Sequence, residues 1–315
     1  MSSFTLRQLE LFSALPEYRT LSAAASALHI SESALSHAVS ELERAVVEQL
    51  CVRHKAKGLQ LTPAGQFVAT RARILVTDAN ELVSQLAAEW GVMSGPMTIG
   101  CYTGFASTMM PPVLDGFARA HPKVKIGVNI GTDDELWPAL LAGLLDVAIV
   151  YDMYVPDGMN RRPVYETEVL AVLPEDHPLA GQPAIDLADL APEPLIMLDT
   201  APSAGNTRRV FDERGLEPNL HLQVPNLELV RVLVARGLGY RLLMRLPYYS
   251  VTTLEGRRVV MKPLNPQAGR TSVVAVWPDQ MDLSRRADAL VNHLAAGLGN
   301  RNAARSKPAR QKVHR

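Results

Sequence analysis

The stretch Leu21-Ser22-Ala23-Ala24-Ala25-Ser26-Ala27-Leu28-His29-Ile30-Ser31-Glu32-Ser33-Ala34-Leu35-Ser36-His37-Ala38-Val39-Ser40 decides the reading of this 315-residue chain. Its first part is an alanine-rich helix, with Thr20 or Ser22 as the N-cap. His29-Ile30-Ser31 makes a short turn, and Ser31 is placed to cap a further helix from about Glu32 to Val46. Leu35, Val39 and Leu42 recur at helical spacing and form its buried stripe. Two helices joined by so short a turn make a helix-turn-helix, Leu21 to Ser40. The stripe leaves Glu32, Ser33, Ser36, His37 and Ser40 on the opposite face, the one that would enter a major groove of double-stranded DNA. Serines bond bases or phosphates, and small side chains permit close approach.

Upstream, Leu6, Leu9 and Phe12 lie on one face of a first helix. Downstream, Arg53-His54-Lys55-Ala56-Lys57-Gly58 precedes a short strand, Leu59 to Thr62, in the position of a hairpin. Beside a helix-turn-helix, Arg53, Lys55 and Lys57 would form a basic wing that neutralises phosphates; by itself such a run is a solvated turn. A helical pattern without internal proline follows from Pro63 to about Met93, with Phe67, Ile74, Leu75, Leu82 and Leu86 as its apolar stripe. That stripe suits pairing with the same helix of a second subunit, or packing on its own chain.

From Met97 the pattern alternates. Strands are expected at Met97–Cys101, Val124–Ile130 and Asp146–Val150, with helices at Pro111–His121 and Asp134–Leu144 between them, which implies a largely parallel sheet. Further strands are expected at Leu170–Leu173, Leu195–Leu198, Leu220–Val224, Val259–Leu264 and Val273–Trp277, and helices at Asn226–Arg236 and Leu283–Leu298. The stretch from Gly299 is basic and carries no acidic residue, the composition of a disordered tail, 299–315.

Length alone implies two or three domains. The formal net charge is zero, so bulk composition gives no support for a nucleic-acid partner, and any DNA site must be local. Two cysteines, Cys51 and Cys101, fall in different domains, which fits a reducing cytoplasm without disulfides. The N-terminus lacks a basic region followed by an apolar run, and no stretch is long enough to span a bilayer, so a cytoplasmic protein without a membrane partner is expected.

Taken in order from Leu6-Arg7-Gln8-Leu9, through Leu21 to Ser36, Leu42-Glu43 and Leu50-Cys51-Val52-Arg53, to Leu61-Thr62-Pro63-Ala64-Gly65, the chain resembles the DNA-binding domain of LysR-type transcriptional regulators. The resemblance implies a fold of α plus α/β type. It would comprise a winged helix-turn-helix (1–62), a long linker and dimerisation helix (63–95), and a two-lobed α/β effector domain like the periplasmic binding proteins (96–298). Lobe one would hold 96–163 and 268–298, and lobe two 164–267. The partners implied are double-stranded DNA, a small-molecule effector such as an organic acid, and further copies of the chain in a homodimer or homotetramer.

The chain departs from the family pattern at several positions. Glu32 stands where Gln is usual, and a carboxylate there accepts from cytosine N4 but repels phosphate. His37 replaces an Arg, Val46-Val47 replaces Leu-Gly, and Cys51 replaces a Phe. Glu32 and His37 could instead pair with each other at the surface.

Ligands of α/β folds sit at the carboxyl ends of strands and at helix N-termini. That rule selects Tyr102 and Thr103, Thr132, Tyr151, and Thr200 with Ser203, while Asn226 lies near the expected crossover between lobes. Thr103, Thr132 and Ser203 suit a carboxylate, or serve as caps and turn residues of their own helices. Asp133-Asp134-Glu135 reads as a helix N-terminus rather than a metal site. The sequence contains no Gly-x-Ser-x-Gly, P-loop, Gly-x-Gly-x-x-Gly, Cys-x-x-Cys or His-Glu-x-x-His motif, so neither an enzyme nor a cofactor is expected. The alternative function is a small-molecule binding protein with a vestigial helix-turn-helix.

Overall fold

Side-chain caps set where the N-terminal helices begin. In the computed structural model, which describes residues 4–54, 58–88, 93–246 and 249–305, α1 (Leu6–Ser13) opens on a capping box. Thr5 Oγ1 accepts from Gln8 N, and Gln8 Oε1 accepts from Thr5 N. Thr20, not Ser22, caps α2 (Leu21–Ala27) by accepting from Ala23 N at 3.1 Å. Ser31 caps α3 (Glu32–Val46) in the same way, accepting from Ala34 N at 3.1 Å. Leu9, Phe12, Leu21, Ala24, Leu35, Val39 and Leu42 meet in one core, and their burial at helical period is what fixes the three helices together. Leu6, at 48% exposed, lies outside that core; Leu11 is buried instead.

β1 (Cys51–His54) pairs antiparallel with β2 (Gly58–Leu61), Cys51 opposite Leu61. The sequence reading identified only the second of these strands. Arg53 and His54 belong to β1 rather than to the connecting turn, and Lys55 and Lys57 lie outside the described residues. Glu43 ties α3 to this hairpin: its Oε1 accepts from Leu50 N at 2.8 Å and from Cys51 N at 3.1 Å. At the end of α3, Val47 takes the left-handed conformation, φ +57°, with its side chain 85% exposed. A β-branched residue is strained there and gains no burial in return. Val47→Gly is therefore expected to raise stability by about 1 kcal/mol, measured as an upward shift of the denaturation midpoint.

α4 (Pro63–Ala88) turns a different side inward from the expected one. Ala69 and Ala72 are buried against the helix-turn-helix core with Val68 and Val76 beside them. Phe67, Leu75 and Leu82 of the predicted stripe stand 49–64% exposed, and Ile74 is half-buried.

The chain divides into two compact units: one runs to Gly95 and includes Leu141–Leu144, and the other holds Pro96–Leu140 and the residues from Leu145. In the second, β3 (Ser94–Tyr102), α5 (Thr103–Ala120), β4 (Lys123–Gly131), α6 (Asp133–Leu141), β5 (Val147–Tyr151) and β6 (Met159–Thr167) follow in order. Next come β7 (Val169–Pro174), α7 (Leu187–Leu190), β8 (Leu195–Leu198), α8 (Ser203–Asp212), β9 (Leu220–Val224) and α9 (Leu227–Ala235). β10 (Arg241–Met244), β11 (Val259–Pro263), β12 (Thr271–Pro278) and α10 (Arg285–Arg305) complete it.

These strands build two α/β lobes. One has a five-stranded sheet in the order β4-β3-β5-β12-β6; the other has a three-stranded β10-β7-β11 sheet and a β8-β9 pair. The sheets are mixed rather than largely parallel. β3 with β5 and β8 with β9 are parallel, but β12 runs antiparallel to both its neighbours, as do β10 and β11 to β7.

α5 begins at Thr103, well before the expected start at Pro111, and carries Pro111 and Pro112 in its interior. Burial of Phe105, Met109, Met110, Val113 and Phe117 along one face outweighs the hydrogen bonds that the prolines remove. α10 continues to Arg305, through the first part of the segment expected to be disordered; residues 306–315 lie outside the described residues. Among the described residues no helix is long and apolar enough to cross a membrane.

Candidate functional site

The first unit presents α3 as a two-faced helix. Leu35, Val39 and Leu42 anchor it. Glu32, Ser33, His37 and Ser40 are exposed on the other side, with Ser36 half-buried at its edge. Ser31 is committed to the cap, and its hydroxyl lies 3.0 Å from that of Ser33. Glu32 sits in the first turn, where the helix dipole favours a carboxylate. His37 does not turn to Glu32: its Nε2 is 4.0 Å from Glu41 Oε1, one turn further along. The face is thus rich in small polar groups.

The second unit gathers hydroxyls from both of its lobes. Tyr102, at the end of β3, is fully buried, and its hydroxyl is 3.0 Å from Thr200 Oγ1 and 2.7 Å from Ser203 Oγ. Its ring centroid is 5.5 Å from that of Phe105 and 5.6 Å from that of Tyr151. Burial pushes the Tyr102 phenol above its ordinary pKa, more than the bonds to Ser203 and Thr200 lower it, so it stays a neutral donor or acceptor.

Tyr102, Tyr151 and Ser203 line a small cavity of about 20 Å3. Thr103 and Asn226 line a second, roomier groove of about 600 Å3 between α5 and α9, together with Ser107, Thr108 and Arg231. Asn226 also caps α9, its Oδ1 accepting from Leu229 N at 2.9 Å. Thr132 is engaged elsewhere: its N–H and its hydroxyl both donate to Glu135 Oε2, at 2.8 and 3.2 Å, which caps α6. Its hydroxyl is taken by its own helix, the second of the two roles the sequence allows it.

Sequence reasoning missed Arg241, the first residue of β10 and one of the residues that line the small cavity. It is 3% exposed. Burial holds its pKa below the ordinary guanidinium value; Tyr249, Tyr151 and Tyr102 oppose that, and Arg231 adds to it. The only sequence signal was an arginine opening the short apolar run Arg241-Leu242-Leu243-Met244. Cys51 and Cys101 are both buried, and burial pushes the Cys101 thiol far up, so it carries no thiolate character. Among the described residues no group of histidines, cysteines and carboxylates could hold a metal ion.

Residues 6–66 match the family model described as bacterial regulatory helix-turn-helix protein, lysR family, and residues 91–299 match the LysR substrate binding domain. The chain is 30% identical over 263 residues to the HTH-type transcriptional regulator MetR of Escherichia coli, covering 81% of this chain and 78% of that protein. It is 27% identical over 294 residues to the dual regulator OxyR of Escherichia coli, covering 93% and 95%. Among solved structures it is similar to HinK, a LysR family transcriptional regulator from Pseudomonas aeruginosa, at 33% identity and a TM-score of 0.63, covering 95% and 100%. A full-length OxyR variant from Pseudomonas aeruginosa shares the fold, at 21% identity and a TM-score of 0.74, covering 92% and 94%.

Proposed function

The chain belongs to the LysR family of transcriptional regulators, and from that premise we propose that it is a regulator whose grip on DNA answers to a small molecule held between the two lobes of its second unit. The observation that carries this reading is the meeting of Tyr102 from one lobe with Thr200 and Ser203 from the other, next to an open groove lined by Thr103 and Asn226. Hydroxyls on two lobes around one space let a ligand bind the closed arrangement better than the open one. A ligand shifts an equilibrium only through such differential affinity. The exposed Phe67, Leu75 and Leu82 of α4 favour a second copy of the same helix as partner, and so a homodimer or a larger homo-oligomer on paired half-sites.

The division of labour at the DNA follows from chemistry. α3 reads bases through Glu32, Ser33, Ser36 and His37, while Arg53, Lys55 and Lys57 neutralise phosphates. Arg53→Ala is expected to weaken binding to all sequences alike, by roughly five- to tenfold, and to lower the slope of log affinity against log salt by about one. Glu32→Gln is expected to leave that slope unchanged and to move base preference at one position by about tenfold. Quantitative footprinting on DNA beside the protein's own gene, across salt concentrations, reads both. An altered base preference with an unchanged salt slope in Arg53→Ala would contradict the assignment. If Ala at Ser33, Ser36 and Arg53 together left DNA binding intact, the protein would be a small-molecule binder with a vestigial helix-turn-helix.

A further inference from the structure

The small cavity beneath Tyr102 is unbalanced in charge. Arg241 is 3% exposed, and its Nη1 has no hydrogen-bond partner among the described residues. Its Nε reaches only the Leu242 carbonyl, at 3.3 Å. No acidic residue lines the cavity; its polar wall is made by Tyr102, Tyr151, Ser203, Asn206 and Thr207. Nearby Arg231 also has an Nε without a hydrogen-bond partner among the described residues, but unlike Arg241 it has a counter-charge. Its Nη1 donates to Glu228 at 2.6 Å, its Nη2 to the Ser250 and Thr252 carbonyls, and it lies 4.9 Å from the centroid of the Tyr249 ring. A guanidinium keeps its proton in proteins, and a buried charge without a counter-charge is strongly unfavourable. The site is one negative charge short.

We propose that Arg241 is the charge-selecting residue of the cleft and that it takes one compact anion, either a free ion or the carboxylate end of a larger effector. The inference rests on the reading of the cleft as an effector site and names the chemical class of what enters it. The cavity of about 20 Å3 has room for roughly one water-sized group, so the charged part must be small: a halide, or a carboxylate entering with slight yielding of the wall. Leu227 lines both this cavity and the groove of about 600 Å3, so the body of a larger acid has space beside its carboxylate.

The test is thermal unfolding of the full-length protein in well-buffered solution at matched ionic strength, titrated with sodium formate, sodium chloride, sodium benzoate and the neutral isostere formamide. Formate or chloride should raise the midpoint saturably, by roughly 3–10 °C at a hundredfold excess over the dissociation constant. Arg241→Met removes an uncompensated charge, so it should fold at least as well as the wild type and lose the response. Arg241→Lys keeps the charge without the planar fork and should respond with several-fold weaker affinity. A response to formate and chloride but not benzoate identifies a free ion; an added response to benzoate identifies the end of a larger acid. No saturable shift with any anion, or an undiminished shift in both variants, overturns the proposal. A formamide response equal to that of formate also overturns it, yet leaves the cleft a ligand site, which keeps this failure apart from failure of the functional reading.

Discussion

Gly65→Ala is expected to destabilise the DNA-binding unit by about 3–5 kcal/mol, enough to abolish DNA binding at ordinary temperature. A Cβ on Gly65 would stand 1.8 Å from the carbonyl oxygen of Leu50 and 2.8 Å from its carbonyl carbon. Both obstacles are backbone, so no rotamer change relieves them. Nor can the Leu50 segment retreat cheaply. Its carbonyl accepts from Thr62 N at 3.0 Å, its N–H donates to Glu43 Oε1 at 2.8 Å, and its side chain is fully buried. Thr62 adds two more ties, donating from Oγ1 to Gln49 O at 2.7 Å and accepting from Gly65 N at 2.9 Å. Separating α4 from the Leu50 strand end would break several of these bonds, at about 1 kcal/mol each, on top of the overpacking. A folded domain has only about 5–15 kcal/mol in reserve. Circular dichroism melts and a footprint check the expectation. Gly297→Ala, at an exposed helical position with nothing within 4 Å, is the control and should be neutral or slightly stabilising. An unchanged midpoint for Gly65→Ala would mean that the approach is looser than described.

This close approach gives a physical content to Leu61-Thr62-Pro63-Ala64-Gly65, which in the sequence is only a pattern. The parts of the fold that were legible there are those whose causes are local. Thr20 or Ser22, and Ser31, were readable as caps because a cap needs only its own helix, and the structure keeps Thr20 and Ser31. The Leu35, Val39 and Leu42 stripe was readable because its period belongs to one element.

What escaped depends on distant partners. β10 is four residues long and opens on Arg241, so its pattern is too brief to register until β7 lies beside it. β6 interrupts its apolar positions with Arg161 and Arg162, which face Asp152 and Asp288 across the fold. The first half of α5 was hidden because Pro111-Pro112 reads as a helix start, whereas tertiary burial carries the helix through it. The strand-end rule did bring Tyr102, Thr200 and Ser203 together. It left Thr132 with two roles, because a threonine after a strand looks the same whether it meets a ligand or caps the helix that follows; its hydroxyl donates to Glu135 of its own helix. Arg241 could not be found by that rule at all: it lies at the beginning of a strand, not at its carboxyl end.

Asp133→Asn is expected to stabilise the second unit by about 2–4 kcal/mol at pH 8 and by almost nothing near pH 4. Asp133 is the first residue of α6, where the helix dipole alone would favour a carboxylate. It is nevertheless 4% exposed, and neither carboxyl oxygen has a hydrogen-bond partner among the described residues. Burial, with a further push from Asp134, raises its pKa from 3.8 to about 7. The linkage then has a definite sign. Below about pH 4 the group is protonated in both the folded and the unfolded chain and contributes no difference. As pH rises towards 7 the unfolded chain releases the proton while the folded chain still holds it, so stability falls through that window. Above about pH 7 the loss is complete, at most about 4 kcal/mol for this displacement at roughly 1.4 kcal/mol per pH unit. Asparagine is close in shape to the protonated acid and cannot ionise, so it removes the loss and leaves the rest. Denaturant unfolding of both proteins at pH 4.5, 6 and 8 checks it, and a gain that does not vary with pH would refute the assigned cause. The same linkage bears on any search for the effector. An organic acid added without sufficient buffer lowers the pH and stabilises the protein through Asp133 with no binding at all. Asp133→Asn abolishes that false response and preserves one that depends on Arg241, while Arg241→Met does the reverse, so the pair of variants separates protonation from ligand binding in a single set of melts.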